Sequence, residues 1–267
     1  MYGYTKIDGQ TSREDMHMGT NKIIPRLNIK DGLVVKGVNF DGLRELGAIM
    51  DYVTKYEEQG ADELVLLDIA ATVENSKTLP DVVKEVVKAV NIPITAGGGI
   101  KTVEEIGELL DAGASRVTIN TAAVKNPQIL KEGADKYGKD KVILAVDARK
   151  RLDNSGWDAY INDGHINTGK DLIEWVKEGA ALGAGAIMVT SMDTDGTKDG
   201  YDIELCKACK EATGLEIIAS GGCGSLEDFA SVFIENAADG ALASSMFHFG
   251  NLTVSEVKDY LKEKGIE

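Results

Sequence analysis

The chain repeats itself, because its two halves carry the same succession of strand-end sequences in the same order. A half-domain repeat means two copies of one supersecondary set, each of which completes the core of the other. The repeat also predicts a duplicated site, with two glycine-rich loops and two polar strand ends that face one another. The matching stretches are residues 25–28, 67–69, 96–99 and 118–121 in the first half and 145–147, 190–193, 220–223 and 242–245 in the second.

The order of apolar segments indicates a parallel sheet. Runs of strand length alternate with amphipathic helical stretches, which is typical of successive βα units. Eight such units and an internal two-fold half-barrel repeat predict an α/β fold, the (β/α)8 TIM barrel. A doubly wound open sheet is the alternative, but it does not require the second half to copy the first. The predicted strands are 23–28, 63–68, 92–96, 116–120, 142–147, 186–191, 215–220 and 240–244, and the helices lie near 43–59, 80–90, 102–112, 125–137, 170–183, 202–213, 225–237 and 253–264.

Length and charge narrow the class of protein. A chain of 267 residues is long enough for two domains, but α/β barrels of this size form one. We expect residues 21–267 to form a single barrel. Residues 1–20 are polar, without the apolar segment of a signal peptide, and are expected to be an N-terminal extension. A net charge of −15 argues against a nucleic-acid partner, and no stretch approaches membrane-spanning length.

The three cysteines, an odd number, argue against a disulfide framework and predict a reducing, cytoplasmic location. Cys206 and Cys209 form a C-x-x-C pair, a pattern used at redox and zinc sites. The pair falls in a predicted helix, and no second Cys/His pair stands at zinc spacing. Packing in the core is therefore the preferred interpretation, and neither a metal ion nor a cofactor is predicted.

Two glycine-rich strand ends predict phosphate sites at the carboxyl-terminal mouth of the barrel, where such barrels place their active sites. Glycines let the backbone approach an anion closely, and the following N–H groups and hydroxyls donate hydrogen bonds. Ordinary tight βα turns are the alternative. Two such loops at matching places favour a long substrate with a phosphate at each end. The first site comprises Gly97, Gly98, Gly99, Asn120 and Thr121, and the second comprises Gly221, Gly222, Ser244 and Ser245.

Carboxylates end several predicted strands between these two loops. Asp147 ends the fifth strand, where a carboxylate is a natural general acid or base. Asp68 and Asp195 are further candidate acids of the substrate site. Bracing of a loop through nearby N–H groups is the alternative for each, and it is preferred for Asp68 and for Asp193. For Asp195, which lies in a glycine-containing stretch, the choice stays open.

Residues 30–40 form a glycine-bearing stretch that is longer than the usual connection between a strand and its helix. Long connections in compact domains often act as lids over a bound substrate. We therefore expect a mobile loop here, from which Lys36 reaches an anionic substrate. A solvated surface charge is the alternative for Lys36, and composition does not choose between the two.

Motifs in every βα unit carry a family resemblance, from about Lys22 to the C-terminus. The stretches that match are 30–40 (KDGLVVKGVNF), 61–65 (ADELV), 97–100 (GGGI), 120–127 (NTAAVKNP), 195–202 (DGTKDGYD), 218–222 (IASGG) and 247–250 (FHFG). Together they resemble the HisF cyclase subunits of imidazole glycerol phosphate synthase. The resemblance excludes other phosphate-binding barrels, except close relatives such as the HisA isomerase.

The resemblance implies an enzyme of the lyase class that acts in histidine biosynthesis. Its substrate is an open-chain bis-phosphate, a ribulosyl-aminoimidazole carboxamide nucleotide. A HisH-type glutaminase partner delivers ammonia through an ammonia channel in the barrel core. Ring closure then releases imidazole glycerol phosphate and an aminoimidazole carboxamide ribotide. These properties are expectations that follow from the family alone.

The resemblance also implies roles for individual residues. The two catalytic acids of the family end strands one and five, and they correspond to Asn28 and Asp147, so an amide replaces the first acid. The lysine of the lid is Lys36. A charged gate at the opposite end of the barrel has a fourth member, usually a glutamate, that is Ala186 in this chain. The three gate residues that match the family are Lys22, Glu63 and Arg116.

Asn28 keeps the size and hydrogen bonding of an aspartate but cannot transfer a proton as an acid does. Loss of such a group typically costs on the order of 10²–10⁴ in rate. Other departures near the first strand are Arg26, Ala70 and residues 47–49, which look like natural divergence. Cyclase activity reduced by Asn28 is the first hypothesis. The alternatives are a paralogue that docks a glutaminase and passes ammonia to another acceptor, and a bis-phosphate-binding pseudoenzyme.

Overall fold

The computed structural model describes residues 21–38, 41–69 and 78–266, so the predicted extension and Ala70 lie outside the described residues. The strands are β1 (Lys22–Lys30), β2 (Leu33–Val38), β3 (Asp41–Ala48), β4 (Leu64–Asp68), β5 (Ile94–Gly97), β6 (Arg116–Ile119), β7 (Val142–Lys150), β8 (Trp157–Ile161), β9 (Ile166–Asp171), β10 (Ala186–Ser191), β11 (Glu216–Ser220) and β12 (Gly240–Ala243). The helices are α1 (Ile49–Glu58), α2 (Leu79–Ala89), α3 (Val103–Asp111), α4 (Thr121–Lys125), α5 (Gln128–Tyr137), α6 (Leu172–Ala181), α7 (Ile203–Thr213), α8 (Leu226–Ile234), α9 (Ser245–His248) and α10 (Val254–Glu263).

Eight parallel strands close into a barrel. Their order around the barrel is β1, β4, β5, β6, β7, β10, β11 and β12, and the pairing of β12 with β1 completes the circle. All eight correspond to strands predicted from the sequence, with ends that differ by a few residues. The (β/α)8 barrel is therefore confirmed.

The connection after β1 is a β-hairpin and not the irregular loop that the sequence suggested. Lys30 pairs with Leu33 across a two-residue turn in which Asp31 (φ 52°) and Gly32 (φ 77°) both have positive φ. An Asp-Gly turn of this kind matches the twist of paired strands, which explains the hairpin. The helix predicted from residue 43 begins instead at Ile49, because the hairpin continues through β3. Residues 39 and 40 lie outside the described range.

The second half has a matching hairpin that the sequence analysis did not identify. β8 and β9 follow β7 as antiparallel strands, just as β2 and β3 follow β1. Two residues of its turn, Asn162 and Asp163, also have positive φ. Each half of the barrel therefore carries a hairpin above the carboxyl end of its first strand.

Apolar side chains pack on both faces of the barrel wall. The larger core lies between strands and helices and includes the fully buried Trp175 and Phe229. A smaller cluster fills the barrel interior. Because side chains alternate along a strand, Lys22, Arg26 and Asn28 share the inward face of β1 with Ile24, a member of this cluster. The interior cluster comprises Ile24, Val65, Ile143, Ala186, Met188, Ile218 and Leu242.

The cysteine pair lies on α7, where Cys206 and Cys209 are both buried, so the core interpretation is confirmed. Burial raises the pKa of both thiols. Within the described residues, no group of three or more His, Cys, Asp and Glu side chains is arranged to hold a metal ion. None of the helices in this part of the chain has the length and apolar character needed to cross a membrane.

Candidate active site

The two predicted phosphate loops have the same backbone. In each half a barrel strand leads into a short helix, α4 after β6 and α9 after β12. The residue before each helix lies outside the regular helical and strand regions, with φ −118° and ψ −89° at Asn120 and φ −128° and ψ −77° at Ser244. Thr121 and Ser245 are the first helical residues. The equivalence of the two sites, inferred from sequence, therefore extends to backbone conformation.

Both loops need glycine for steric reasons. Gly98 has φ 93°, and a Cβ there would lie 2.0 Å from the backbone oxygen of Asp68. Gly222 has φ 98°, and its Cβ would lie 2.0 Å from the backbone oxygen of Gly200. Backbone atoms cannot move aside at low cost, so neither position tolerates a side chain. Phosphate binding by these loops stays a prediction.

Asp147 lies on the inward face of β7 at the mouth. The side-chain amide of Asn120 donates a hydrogen bond of 2.9 Å to its Oδ2. Burial raises the pKa of Asp147 to about 6, with smaller contributions in the same direction from Asp163 and Asp195, whereas the Asn120 hydrogen bond and the charge of Arg26 act to lower it. A carboxyl that titrates near neutral pH can both accept and return a proton.

Asn28 occupies the corresponding place on β1. Its backbone pairs with Leu67 on β4 and with Val35 on the hairpin. The buried Oδ1 of Asn28 has no hydrogen-bond partner among the described residues. A buried acceptor without a partner is rare in folded proteins and is a reason to look for a ligand or water at that point.

Arg26 faces the same mouth, two residues before Asn28 on the inward side of β1. Its Nη1 donates a long hydrogen bond of 3.4 Å to the hydroxyl of Ser220, and its buried Nε has no partner in the described part of the chain. The repeat places Ala145 at the matching position of the second half. The sequence identified Arg26 as a departure from the family, but only the structure shows that its charge acts on Asp147.

A pocket at the mouth joins Lys36 to the predicted second phosphate site. It is lined by Arg26, Lys36, Asp195 and residues of 220–223 and 242–246. Burial lowers the pKa of Lys36, the charge of Arg26 lowers it further, and Asp195 opposes them. Lys36 is therefore a half-buried residue of the hairpin strand β2 and not a solvated charge, and Asp195 faces the same pocket.

His248 was missed as a site residue, although it lies in one of the matching sequence stretches. Its Nε2 is 3.0 Å from the hydroxyl of Ser244, and its Nδ1 is 2.6 Å from the hydroxyl of Tyr56. Burial lowers the pKa of His248 to about 4 and the charge of Lys36 lowers it further, whereas a hydrogen bond with the backbone of Arg26 opposes them. The imidazole is therefore neutral near pH 7, and it fixes the position of Ser244.

The remaining acids differ in role. Asp193 accepts a hydrogen bond of 2.7 Å from the backbone N–H of Lys150, which confirms the bracing role inferred for it. Asp68 ends β4, and its backbone is packed against Gly98. Its side chain is half-buried, so a role in the substrate site stays a prediction.

Thr121 links the first phosphate loop to the second hairpin. Its hydroxyl accepts a hydrogen bond of 3.2 Å from the backbone N–H of Asn162, in the turn between β8 and β9. The hairpin therefore contacts the rim of the loop that lies nearest to Asp147.

The charged residues predicted as a gate lie at the other end of the barrel. Arg116 bonds to Glu63 at 2.6 Å, and Lys22 does not contact either of them in the bonds observed among the described residues. Glu216, which the sequence analysis did not select, connects them, with bonds of 2.7 Å to Arg116 and 2.7 Å to Lys22. The three predicted gate residues are thus brought together by a fourth.

A closed barrel of two repeated halves, with a titratable carboxyl at its carboxyl-terminal mouth, defines the chain as a (β/α)8-barrel enzyme. A family model described as "Histidine biosynthesis protein" matches residues 22–253. Three curated relatives that are 47–52% identical to the chain are imidazole glycerol phosphate synthase subunits HisF. The chain belongs to this HisF family.

The similarity to these relatives covers nearly their whole length. The HisF subunit of Clostridium beijerinckii is 52% identical over 249 residues, which cover 93% of this chain and 98% of the relative. HisF subunits of two Clostridium botulinum strains, Alaska E43 and Okra, are 51% and 47% identical, with 93% of this chain and 98% of each relative covered.

Proposed function

We propose that the chain is the cyclase-lyase subunit of an imidazole glycerol phosphate synthase. It uses ammonia to convert the bis-phosphate ribulosyl-aminoimidazole carboxamide nucleotide into imidazole glycerol phosphate and aminoimidazole carboxamide ribotide. Family membership supports this reaction. The observation that carries it is the position of Asp147, a carboxyl with a pKa of about 6 at the mouth, bonded to the loop of the first predicted phosphate site.

Asp147 is suited to the proton transfers that this reaction needs. When ammonia adds to a carbonyl carbon and water leaves, protons must depart from nitrogen and reach oxygen. At neutral pH most of Asp147 is ionised, so it can accept a proton from nitrogen. Because its pKa is near neutrality, it can also return that proton to a leaving oxygen.

The two glycine loops are proposed to hold the two phosphates of the substrate. Gly98 and Asn120 belong to the site beside Asp147, and Gly222 and Ser244 belong to the site beside Lys36. The positive charges of Lys36 and Arg26 favour an anion on that second side. The reacting carbon atoms would then lie between Asp147 and Asn28.

Asn28 leaves the first half without a proton-transfer group. We expect turnover below that of an Asp-bearing barrel by a factor on the order of 10²–10⁴, the usual effect of one acid or base. Binding of the bis-phosphate should change little, because the phosphate loops supply most of the contacts.

Ring closure supported by ammonium chloride tests the function directly, with the bis-phosphate nucleotide as substrate. Turnover should rise by a factor on the order of 10²–10⁴ in Asn28→Asp. Adding Asp147→Asn to that variant should remove the gain, because both acids act on one substrate. If Asn28→Asp binds the bis-phosphate and remains inert, the cyclase proposal is wrong and the pseudoenzyme or the ammonia-passing paralogue replaces it.

We also propose that the amino-terminal face of the barrel docks a HisH-type glutaminase, which would supply the ammonia. Lys22, Glu63 and Arg116 lie at this face, away from Asp147. Titration with such a glutaminase should give a complex at micromolar concentration. If no complex forms there, docking is excluded, whereas the ammonium-supported reaction is unaffected.

A further inference from the structure

A ring of alternating charges spans the amino-terminal opening of the barrel. Lys22 on β1 bonds to Glu216 on β11, Glu216 bonds to Arg116 on β6, and Arg116 bonds to Glu63 just before β4. The hydroxyl of Thr95 on β5 donates a further hydrogen bond to Glu63. The ring therefore joins strands from opposite sides of the barrel.

The carboxylate of Glu216 stands beside the position where the family resemblance implies one. Ala186, at the place of the usual glutamate, is directly paired with Glu216 in the register of β10 and β11. Neighbouring strands lie about 4.8 Å apart, so the two positions are adjacent at one level of the barrel. Ala186 itself is buried in the interior cluster and carries no charge. In this chain a carboxylate therefore stands one strand away from the position where the resemblance implies one.

We propose that Glu216 is the second carboxylate of the gate, and that it holds Arg116 across the barrel axis at the entrance for ammonia. This inference rests on the proposed use of ammonia from a docked glutaminase. Glu216 is a positioning residue, because it acts through Arg116 and does not touch the reacting atoms.

The local electrostatics support this role. Although burial acts against the charged guanidinium, Glu63 and Glu216 together raise the pKa of Arg116. Likewise, burial alone would raise the pKa of Glu216, but Arg116 and Lys22 lower it below its usual value. Both groups therefore remain charged, and a single substitution in the ring leaves a partly buried charge without its partner.

The barrel interior favours neutral ammonia over ammonium. Immediately beyond the ring lie apolar side chains, among them Ile24, Val65 and Ile218. Ammonium would lose its hydration there without compensation, whereas neutral ammonia pays a much smaller penalty. The apolar interior behind the charged residues therefore admits ammonia more readily in its neutral form.

The inference is tested in the complex with the glutaminase by comparing turnover with glutamine and turnover with ammonium chloride as the source of ammonia. In Glu216→Ala, turnover supported by glutamine should fall by roughly 2- to 30-fold relative to turnover supported by ammonium chloride, the usual range for a coupling residue. Glu216→Gln, which keeps the shape, should show the same direction. Glu235→Ala is the matched control, because the carboxylate of Glu235 forms an exposed salt bridge with Lys207 on the outside of the barrel.

The double variant Ala186→Glu/Glu216→Ala gives the decisive result. It returns the carboxylate to the neighbouring strand and should restore the ratio of glutamine-supported to ammonium-supported turnover. The inference is overturned if Glu216→Ala and Glu216→Gln both leave that ratio unchanged, or if the folded double variant fails to restore it.

A measurement without substrate separates this inference from the reaction itself. A guanidinium held by two carboxylates rotates slowly, so Arg116 should give resolved Nη–H signals in ¹H–¹⁵N NMR spectra. These signals should collapse in Glu216→Ala and return in the double variant. Signals that persist in Glu216→Ala contradict the positioning role. If the signals behave as expected but no ammonia source supports ring closure, the proposed function fails and the positioning of Arg116 stands.

Discussion

The two halves of the barrel share a scaffold but differ in chemistry. Each half has a strand followed by a hairpin, then a glycine loop, and then a helix that begins with a capping box, at Thr102 in the first half and at Ser225 in the second. At the strand ends the halves diverge, because the first presents Arg26 and Asn28 where the second presents Ala145 and Asp147. The two halves therefore have the same backbone positions at the mouth but different charged side chains at those positions.

The difference leaves a titratable group at the matching strand position of the second half and none at that of the first. Asp147 has a hydrogen-bond donor in Asn120 and a pKa of about 6. Asn28 has neither a charge nor, among the described residues, a partner for its Oδ1. Arg26 adds a fixed positive charge on the side that has Asn28 where the other half has Asp147. The mouth is thus more positively charged beside the first strand than beside the matching strand of the second half.

The largest expected effect comes from removing the remaining acid. Asp147→Asn would make the two strand ends alike and should lower ring closure by a factor on the order of 10²–10⁴. Steady-state kinetics with ammonium chloride measure this loss, and an Asp147→Asn chain that keeps its turnover would show that the second half does not carry the proton transfer.

The same substitution should stabilise the fold. Because the folded pKa of Asp147 is raised above its unfolded value, the contribution of this group to stability is fully present below about pH 4 and is lost as pH rises through about 6. An amide removes this penalty, so we expect a gain of about 1–3 kcal/mol in the free energy of unfolding at pH 8. Urea denaturation at pH 8 and pH 4 measures it, and the gain should vanish at the lower pH.

Substitutions in the two glycine loops test whether both halves require glycine to the same degree. Gly98→Ala and Gly222→Ala each force a Cβ against a backbone oxygen, and each should cost about 2–4 kcal/mol of stability. Gly196→Ala is the control, because Gly196 has φ 82° but open space around its Cβ position, and it should cost only about 1–2 kcal/mol. If thermal unfolding shows unequal losses of stability in Gly98→Ala and Gly222→Ala, the two loops are not structurally equivalent.

His248 provides a test confined to the second half. His248→Phe removes the hydrogen bonds to Ser244 and Tyr56 and should cost about 1 kcal/mol of stability. It should also weaken phosphate binding on that side only. The matched control is Val124→Ala, at the corresponding helix position of the first half. NMR titration with inorganic phosphate should show weaker shifts near Ser244 and unchanged shifts near Asn120.

The smallest expected effect is a shift in the pH profile of activity when Arg26 is replaced. Arg26→Ala copies the Ala145 of the second half and removes a charge that lowers the pKa of Asp147. The acid limb of kcat/KM, which follows ionisation of Asp147, should therefore move to higher pH. Arg44→Ala, an exposed arginine on β3, should leave the profile unchanged. A profile that does not move in Arg26→Ala would show that Arg26 does not act on Asp147.

Some of the site could be read from local sequence. Glycine loops, polar strand ends and the repeat are short-range patterns, and they placed Asn120 and Ser244 directly after their strands, whereas Asp147 lies inside β7, which continues to Lys150. The Asp31-Gly32 pair is a hairpin signal, but the length of residues 30–40 favours an irregular loop. The two local signals conflict, and the hairpin signal is the one that the structure confirms.

Other features have no local signal. Glu216 bonds to Lys22, 194 residues away in the chain, and to Arg116, 100 residues away. Likewise Tyr56 and His248 are separated by 192 residues. Which distant side chains meet depends on the register of the closed barrel, since a shift of one residue turns a strand's side chains to its other face.

The sequence by itself determined the (β/α)8 barrel, its duplication and the pairing of an amide, Asn28, with an acid, Asp147, because periodicity, glycine placement and residue identity are written along the chain. Only the tertiary structure decided the pKa of Asp147, the reach of Arg26 into the mouth and the bonds of Glu216 to Lys22 and Arg116. Burial and charge–charge distance set these properties, and both exist only once the eight strands have closed.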